Sequence, residues 1–267
     1  MIGDVLAFDI ETIPDAKLGR RLYDLSDDLP DEDVVRAMEQ LRMQKTGGHL
    51  FQPLYLQKVV CISVVYHTES VLVAKSLEDI DADERTIIRN FFDGIERAAP
   101  RLVTWNGNGF DLAVLNYRAM YHGICAARFW ETGDNEREFR YNNYISRYHE
   151  RHLDLMDVLS RYNPRASAGL DDFSTMLGFP GKPEGMSGGE VWPAYRDGRL
   201  AEIREYCETD AISTYLVFLR FEFLRGNLLR EEYVELCDQL QSYLEEEDKA
   251  HFRDFLTRWD RANDPVG

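Results

Sequence analysis

The sequence predicts an α/β fold: a mixed sheet with crossover helices, followed by a helical C-terminal appendage. Three observations lead there. Residues 5–8, 59–66 and 101–105 are short apolar runs, the second rich in β-branched side chains and too short for a buried helix. Residues 80–98 carry Ile87, Ile88, Phe91, Phe92 and Ile95 on one helical face, so strands alternate with a helix. From Gly169 onward the pattern is almost wholly helical, broken by a loop rich in Gly and Pro over residues 178–189.

In chain order, the first strand ends in Phe8-Asp9-Ile10-Glu11-Thr12. Residues 15–33 are polar, acidic and interrupted by Pro30, which predicts an irregular excursion. Val34, Ala37, Met38 and Leu41 then mark a short amphipathic helix over residues 33–45, stopped by Gly47-Gly48. Residues 59–66 and 70–74 read as a hairpin beside the first strand. Residues 101–105 form another short strand, and residues 109–121 another helix. Residues 123–152 have no clear period. Residues 200–224 are one long helix, and two further amphipathic segments run from Leu228 to Trp259.

A chain of 267 residues that is 44% hydrophobic can bury a large core in one elaborated domain. Acids outnumber Lys and Arg 48 to 31, a net charge of −17, with much of the excess at both ends. That balance argues against tight nonspecific binding of duplex nucleic acid, which needs a cationic surface. It leaves room for a small site that takes its positive charge from bound metal. No leader and no long apolar window is apparent, so a soluble, cytoplasmic protein is expected. The four cysteines, Cys61, Cys125, Cys207 and Cys237, lie far apart in sequence and form no C-x-x-C pair, so reduced thiols are expected.

Three motifs carry possible chemistry. On a strand, Asp9 and Glu11 project from one face, and two carboxylates aimed at one point are costly unless a cation lies between them. Asn106-Gly107-Asn108-Gly109-Phe110-Asp111 follows a strand. Its glycines allow a sharp turn, Asn106 or Asn108 can cap the next helix, and Asp111 falls in the first turn, where the helix dipole favours an anion. Tyr206 and Asp210 are four apart on the long helix and can reach one ligand. Each has an ordinary alternative: solvated acids at a strand end, routine first-turn chemistry, and a surface Tyr–Asp hydrogen bond.

The conjunction and order of D-x-E, N-G-x-x-F-D and Y-x-x-x-D resemble the three exonuclease motifs of the DEDD superfamily, with Asp9, Glu11, Asp111 and Asp210 as its acids. Glu205 occupies the position where a histidine-type member has its histidine, whereas Tyr206 fits the tyrosine type. Leu153-Asp154-Leu155-Met156-Asp157, Leu177-Gly178-Phe179-Pro180-Gly181-Lys182 and residues 203–210 look like the stand-alone exonucleases related to the proofreading domain of family B DNA polymerases. The resemblance covers roughly residues 3–225. It implies a ribonuclease H-like mixed five-stranded sheet flanked by helices and 3′-to-5′ hydrolysis with two divalent cations, Mg²⁺ or Mn²⁺. Residues 1–225 are then the exonuclease domain and residues 226–267 an acidic helical extension packed on it.

By the same resemblance, Asp9 bridges the cations, Glu11 and Asp210 complete one and Asp111 serves the other. Tyr206, with an ordinary pKa of about 10, orients the attacking water. Thr12 and Ile13 border the terminal nucleotide, Asn106 and Phe110 shape the channel, and Lys182 reaches a phosphate. Ile13 and Phe110 also suit a core, Asn106 a cap, and Lys182 a solvated loop. The expected partner is a single-stranded 3′ end, DNA before RNA, with no membrane and with a protein partner possible through the acidic C-terminal helices. A 3′ exoribonuclease and a catalytically silent nucleic-acid-binding scaffold are the alternatives. Residues 137–152 mix arginines with aromatics, a composition that suits base stacking and equally the gluing of helices to sheets. His149 and His152 have a possible ligand spacing but no nearby partners in sequence.

Overall fold

A computed structural model describes residues 2–181, 185–259 and 266. Its sheet has five strands in the order β3-β2-β1-β4-β5: β1 (Val5–Pro14), β2 (Gln57–His67), β3 (Leu72–Ser76), β4 (Arg101–Thr104) and β5 (His152–Asp154). The first three are antiparallel neighbours, and β4 and β5 run parallel to β1. This is the mixed α/β sheet of a ribonuclease H-like fold, and residues 57–76 form the expected hairpin.

The helices are α1 (Ala16–Tyr23), α2 (Asp31–Thr46), α3 (Glu84–Ala98), α4 (Asp111–His122), α5 (Leu155–Leu159), α6 (Leu170–Met176), α7 (Val191–Arg196), α8 (Leu200–Leu224), α9 (Arg230–Glu247) and α10 (Ala250–Arg258). Alternation along β1 divides the core. Phe8 and Ile10 join the apolar faces of α3 and α4, whereas Val5 and Ala7 lie with the α8 residues Tyr215 and Phe218. Asp9 and Glu11 therefore share the α8 side of the sheet.

Helix α8 is buried almost continuously from Tyr206 to Glu222. A helix this apolar all round needs cover on every side. The sheet supplies one, and Tyr233, Leu240, Leu244, Phe252 and Phe255 of α9 and α10 supply another. The Glu208 carboxylate pins this cover in place. It accepts from the Ser76 backbone at 2.8 Å and from Lys249 at 3.0 Å, and lies 2.8 Å from His251 Nε2. Burial alone would push its pKa up, but His251, Lys249 and Ser76 hold it at about 2.

Two elements differ from the sequence-based expectation. The acidic stretch after β1 is not wholly irregular, because Asp15 accepts a hydrogen bond from Leu18 N at 2.9 Å and caps α1. Gly19 lets that helix approach α2, where a Cβ would stand 2.3 Å from Met38 Sδ. Strand β5, three residues long, falls at the end of the stretch without a period. Its short run offers no alternation to read. Among the described residues, no helix is long and apolar enough to cross a membrane.

Candidate active site

The parallel strands β1, β4 and β5 end at one rim of the sheet, and the acids gather there. Strand β4 pairs with β1 only over residues 5–7, which leaves the rest of that edge of β1 to the first turn of α4. The Ile10 backbone, between the two acids of β1, donates to the Asp111 carboxylate. From the α8 side comes Asp210. Ligand oxygens of Asp9, Glu11 and Asp210 lie within 4.8 Å of one another. Past Glu11 the pairing of β1 with β2 shifts by one residue, the kind of bulge that re-aims side chains beside functional sites.

Asp111 stands outside that group of three but within its field. It is 3% exposed, and its Oδ1 is buried without a hydrogen-bond partner. Burial, together with Asp154 and Asp210, pushes its pKa up to about 7. Asp9 is raised well above the ordinary carboxylate value by burial and by Asp111, Asp210 and Glu11. The phenol of Tyr206, 3% exposed, is driven far above its usual value by burial and by Asp210, Glu11 and Asp9, and it hydrogen-bonds to Asp210. Burial and these acids thus favour the neutral phenol, whose O–H is given to Asp210. The arrangement concentrates oxygen ligands and negative charge at one point, a donor set suited to hard divalent cations rather than zinc.

The loop before Asp111 is built differently from the expectation. Asn106 adopts a left-handed backbone, φ 68°, and neither Asn106 nor Asn108 caps α4; Phe110 occupies that position with no side-chain bond. The expected turn is there, with Gly109 N and Phe110 N both donating to the Asn106 carbonyl at 3.0 Å, and its glycines also serve close approach. A Cβ on Gly107 would meet Thr104 Oγ1 at 2.3 Å, and one on Gly109 would meet Asn106 Oδ1 at 2.4 Å. What fixes the loop is Asp154 at the end of β5, which accepts from Asn106 N at 3.0 Å and Asn108 N at 2.9 Å.

The other anticipated contacts divide. Thr12 is half-buried at the rim and donates to Gln57 Oε1 at 3.1 Å. Phe110 is half-buried, its ring 6.0 Å from Phe51. The Ile13 side chain is 3% exposed and packs with Val60, Val191, Ala194 and Ile203, so it belongs to the core rather than to a nucleotide. Lys182 lies outside the described residues. In the Arg-rich and Tyr-rich stretch, Arg151 sits 3.9 Å over the buried Phe139 ring and acts as glue. Tyr148 is exposed, edge-on to Tyr162 at 5.1 Å, with Arg147 over the Tyr162 ring. His152 lies 2.9 Å from Thr104 Oγ1, and burial lowers its pKa to about 4.

Sequence reasoning missed Cys207, whose thiol lies 3.4 Å from the Asp9 carbonyl and 3.6 Å from its Oδ2. Its place beside Tyr206 in the third motif was the available signal. It also missed the pairing of distant cysteines, for Cys61 hydrogen-bonds to Cys207 beneath the site.

A family model described as a predicted 3′-5′ exonuclease related to the exonuclease domain of PolB matches residues 49–259. The chain belongs to that family. Asp9 and Glu11 precede the matched residues and join the site through geometry. The chain is also similar to the DNA polymerase epsilon catalytic subunit of Schizosaccharomyces pombe, 29% identical over 148 residues, 53% of this chain and 6% of that protein. The corresponding protein of Emericella nidulans is 29% identical over 145 residues, again 53% and 6%. That of Saccharomyces cerevisiae is 28% identical over 146 residues, 52% and 6%. The chain thus spans only a small part of the curated relatives it matches, and with the family model these likenesses support a DEDD-type exonuclease relationship.

Proposed function

We propose that this protein removes nucleotides one at a time from single-stranded 3′ ends, DNA in preference to RNA, releasing nucleoside 5′-monophosphates with the help of two divalent cations, Mg²⁺ or Mn²⁺. The observation that carries the reading is the meeting of Asp9, Glu11 and Asp210 within 4.8 Å of one another. The residues fit such ions: the donors are all carboxylate oxygens, and Asp111 Oδ1 is buried without a partner. Asp9, Glu11 and Asp210 would hold one ion, and Asp9 with Asp111 the other. When bound, the ions supply positive charge for an activated water and for the departing 3′ oxygen.

The chain's own side chains account for the rest. Neutral Tyr206, its single O–H given to Asp210, orients the attacking water by accepting from it at the phenol oxygen, leaving the acids to bind. Asp154 and Ile10 fix the turn that presents Asp111, which limits its reorganisation during the reaction. Tyr148 and Tyr162 offer π-faces beyond that loop, linked to it because Asp157 accepts from both Asn108 and Arg147. The preference for DNA rests on the DNA polymerases among its relatives.

Matched single-stranded DNA and RNA oligonucleotides, labelled at the 5′ end, test the reading directly. With Mn²⁺, DNA should shorten from its 3′ end in single-nucleotide steps, stop on chelation and resume when metal returns. Failure to digest either polymer, or digestion indifferent to chelator, would refute the assignment; faster loss of RNA would make the protein an exoribonuclease. Tyr206→Phe should lower kcat severalfold to a few hundredfold with little change in KM, since general acid–base groups contribute about 10² to 10⁴ and an orienting group less. An unchanged kcat would remove Tyr206 from the reaction.

A further inference from the structure

Across the sheet, Asp9 of β1 stands opposite Ser63 of β2, which stands opposite Ser76 of β3, and Glu11 stands opposite Cys61. Residues paired in this way share a face, here the one covered by α8. One pair along, Ala7, Val65 and Ala74 make an apolar row on that face. Beneath the acids the face turns polar while staying dry, for Cys61, Ser63, Ser76 and the α8 residue Cys207 are all buried. Buried hydroxyls are costly unless hydrogen-bonded, and these are. The Ser63 and Ser76 oxygens lie 2.9 Å apart, and the Cys61 sulfur is 3.4 Å from the first and 3.6 Å from the second. Ser76 Oγ donates to Glu208 Oε1 at 3.0 Å.

The other end of this chain reaches the acids. Cys61 hydrogen-bonds to Cys207, whose sulfur is within reach of both the carbonyl and the Oδ2 of Asp9. Asp9 needs holding, because Asp111, Asp210 and Glu11 all repel its carboxylate. Among the described residues, the Cys207 thiol is the only side chain that donates to it. A thiol suits that place: as a weak donor it steadies the carboxylate without competing strongly with a cation for the oxygen lone pairs.

We infer that Cys207 is the positioning residue for the Asp9 carboxylate, and that Cys61, Ser63, Ser76 and Glu208 behind it tie that placement to the C-terminal helices. The inference rests on the reading of Asp9 as a metal ligand. Lys249 and His251, at the start of α10, close the far end of the chain on Glu208 Oε2. The acidic extension, which lies outside all three motifs, is in this way connected to the carboxylate shared by both cations. Fully satisfied buried networks hold their members in one arrangement, and a ligand already in place costs less to order when the ion arrives.

Mn²⁺ titrated into the full chain without nucleic acid, with the free ion followed by electron paramagnetic resonance, tests the inference. Cys207→Ala should weaken Mn²⁺ binding about 10-fold or more, the usual loss when a group that orients a metal ligand is removed. In digestion assays the same variant should need about 10-fold more Mn²⁺ for half the maximal rate, with the rate at saturating metal close to wild type. Ser76→Ala, which breaks the chain beside Glu208, should shift both measures the same way by a smaller factor; unchanged Mn²⁺ affinity there would detach the C-terminal helices from the site. Cys237→Ala is the control for lost packing, since Cys237 is equally buried but lies on α9 in the core. It should lower the melting temperature about as much as Cys207→Ala and leave both Mn²⁺ measures unmoved. Equal Mn²⁺ affinity in wild type and Cys207→Ala, or the same loss in Cys237→Ala, overturns the positioning role. Mn²⁺ binding that depends on Cys207 in a protein that digests neither DNA nor RNA sinks the nuclease reading alone. Digestion whose metal requirement ignores Cys207 sinks this inference alone, and a wild type that binds no Mn²⁺ sinks both.

Discussion

Asp111→Asn should stabilise the metal-free protein while reducing Mn²⁺-dependent digestion by about a thousandfold or more. The two effects have one cause. Burial, Asp154 and Asp210 raise the Asp111 carboxyl from 3.8 to about 7, so its ionised form is disfavoured in the folded state. Between those values the folded protein holds a proton that the unfolded chain has lost. Stability contributed at this position therefore falls as pH rises through that window, and the full cost is present above pH 7. Asparagine carries no charge to desolvate. The variant should nearly match the wild type at pH 4 and exceed it at pH 8 by roughly 4 kcal/mol, at about 1.4 kcal/mol per tenfold change in proton affinity. Urea unfolding in chelator at both values, with the slope against urea unchanged, measures the gap. Added Mn²⁺ should narrow or invert it, because a ligand of the folded state stabilises by mass action and the wild type binds better. For the same reason metal affinity should weaken below pH 7, where protons compete for the acids. The loss of activity follows from removing an ion that contributes several kcal/mol of charge stabilisation. A variant no more stable than the wild type at pH 8 in chelator would show that these acids are not awaiting a cation.

The same site shows how far the sequence could be read. Strand β1 was legible because Val5, Ala7, Phe8 and Ile10 alternate between two apolar faces, which forces Asp9 and Glu11 onto one side. Helix α8 was legible by length, and with it the shared face of Tyr206 and Asp210. What stayed hidden depends on neighbours distant in the chain. The Asn106 loop was legible as a turn but looked like a cap as well, because its organiser, Asp154, sits 48 residues away. Cys61 and Cys207 looked isolated until the sheet and α8 brought them together. Ile13 suits a nucleotide contact or a core equally, and only the packing of α7 and α8 on β1 decides for the core.

Arg118→Ala, on α4 beyond Asp111, should cost about 3 to 5 kcal/mol of stability. Its guanidinium is 2% exposed, donating to Glu84 Oε1 at 2.7 Å and to Asp15 Oδ2 at 2.8 Å. Glu84 also accepts the Val59 backbone N–H at 2.7 Å, and His122 Nε2 lies 2.7 Å from it. Arg118 therefore joins α4 to the start of α3 and to the cap of α1, and deleting it leaves two buried carboxylates without their main cation. Lysine keeps a charge but loses the fork that serves both acids, so Arg118→Lys should fall between wild type and alanine. Combining Arg118→Met with Glu84→Gln should recover part of the loss, because one buried charge is then removed along with its partner. Chemical denaturation of the four proteins decides: a cost below about 1 kcal/mol for alanine would mean that water reaches these carboxylates as it does at surface pairs. Since Asp111 begins the helix that Arg118 anchors, the alanine variant should also lose digestion as α4 loosens, whereas the doubly substituted protein regains activity together with stability.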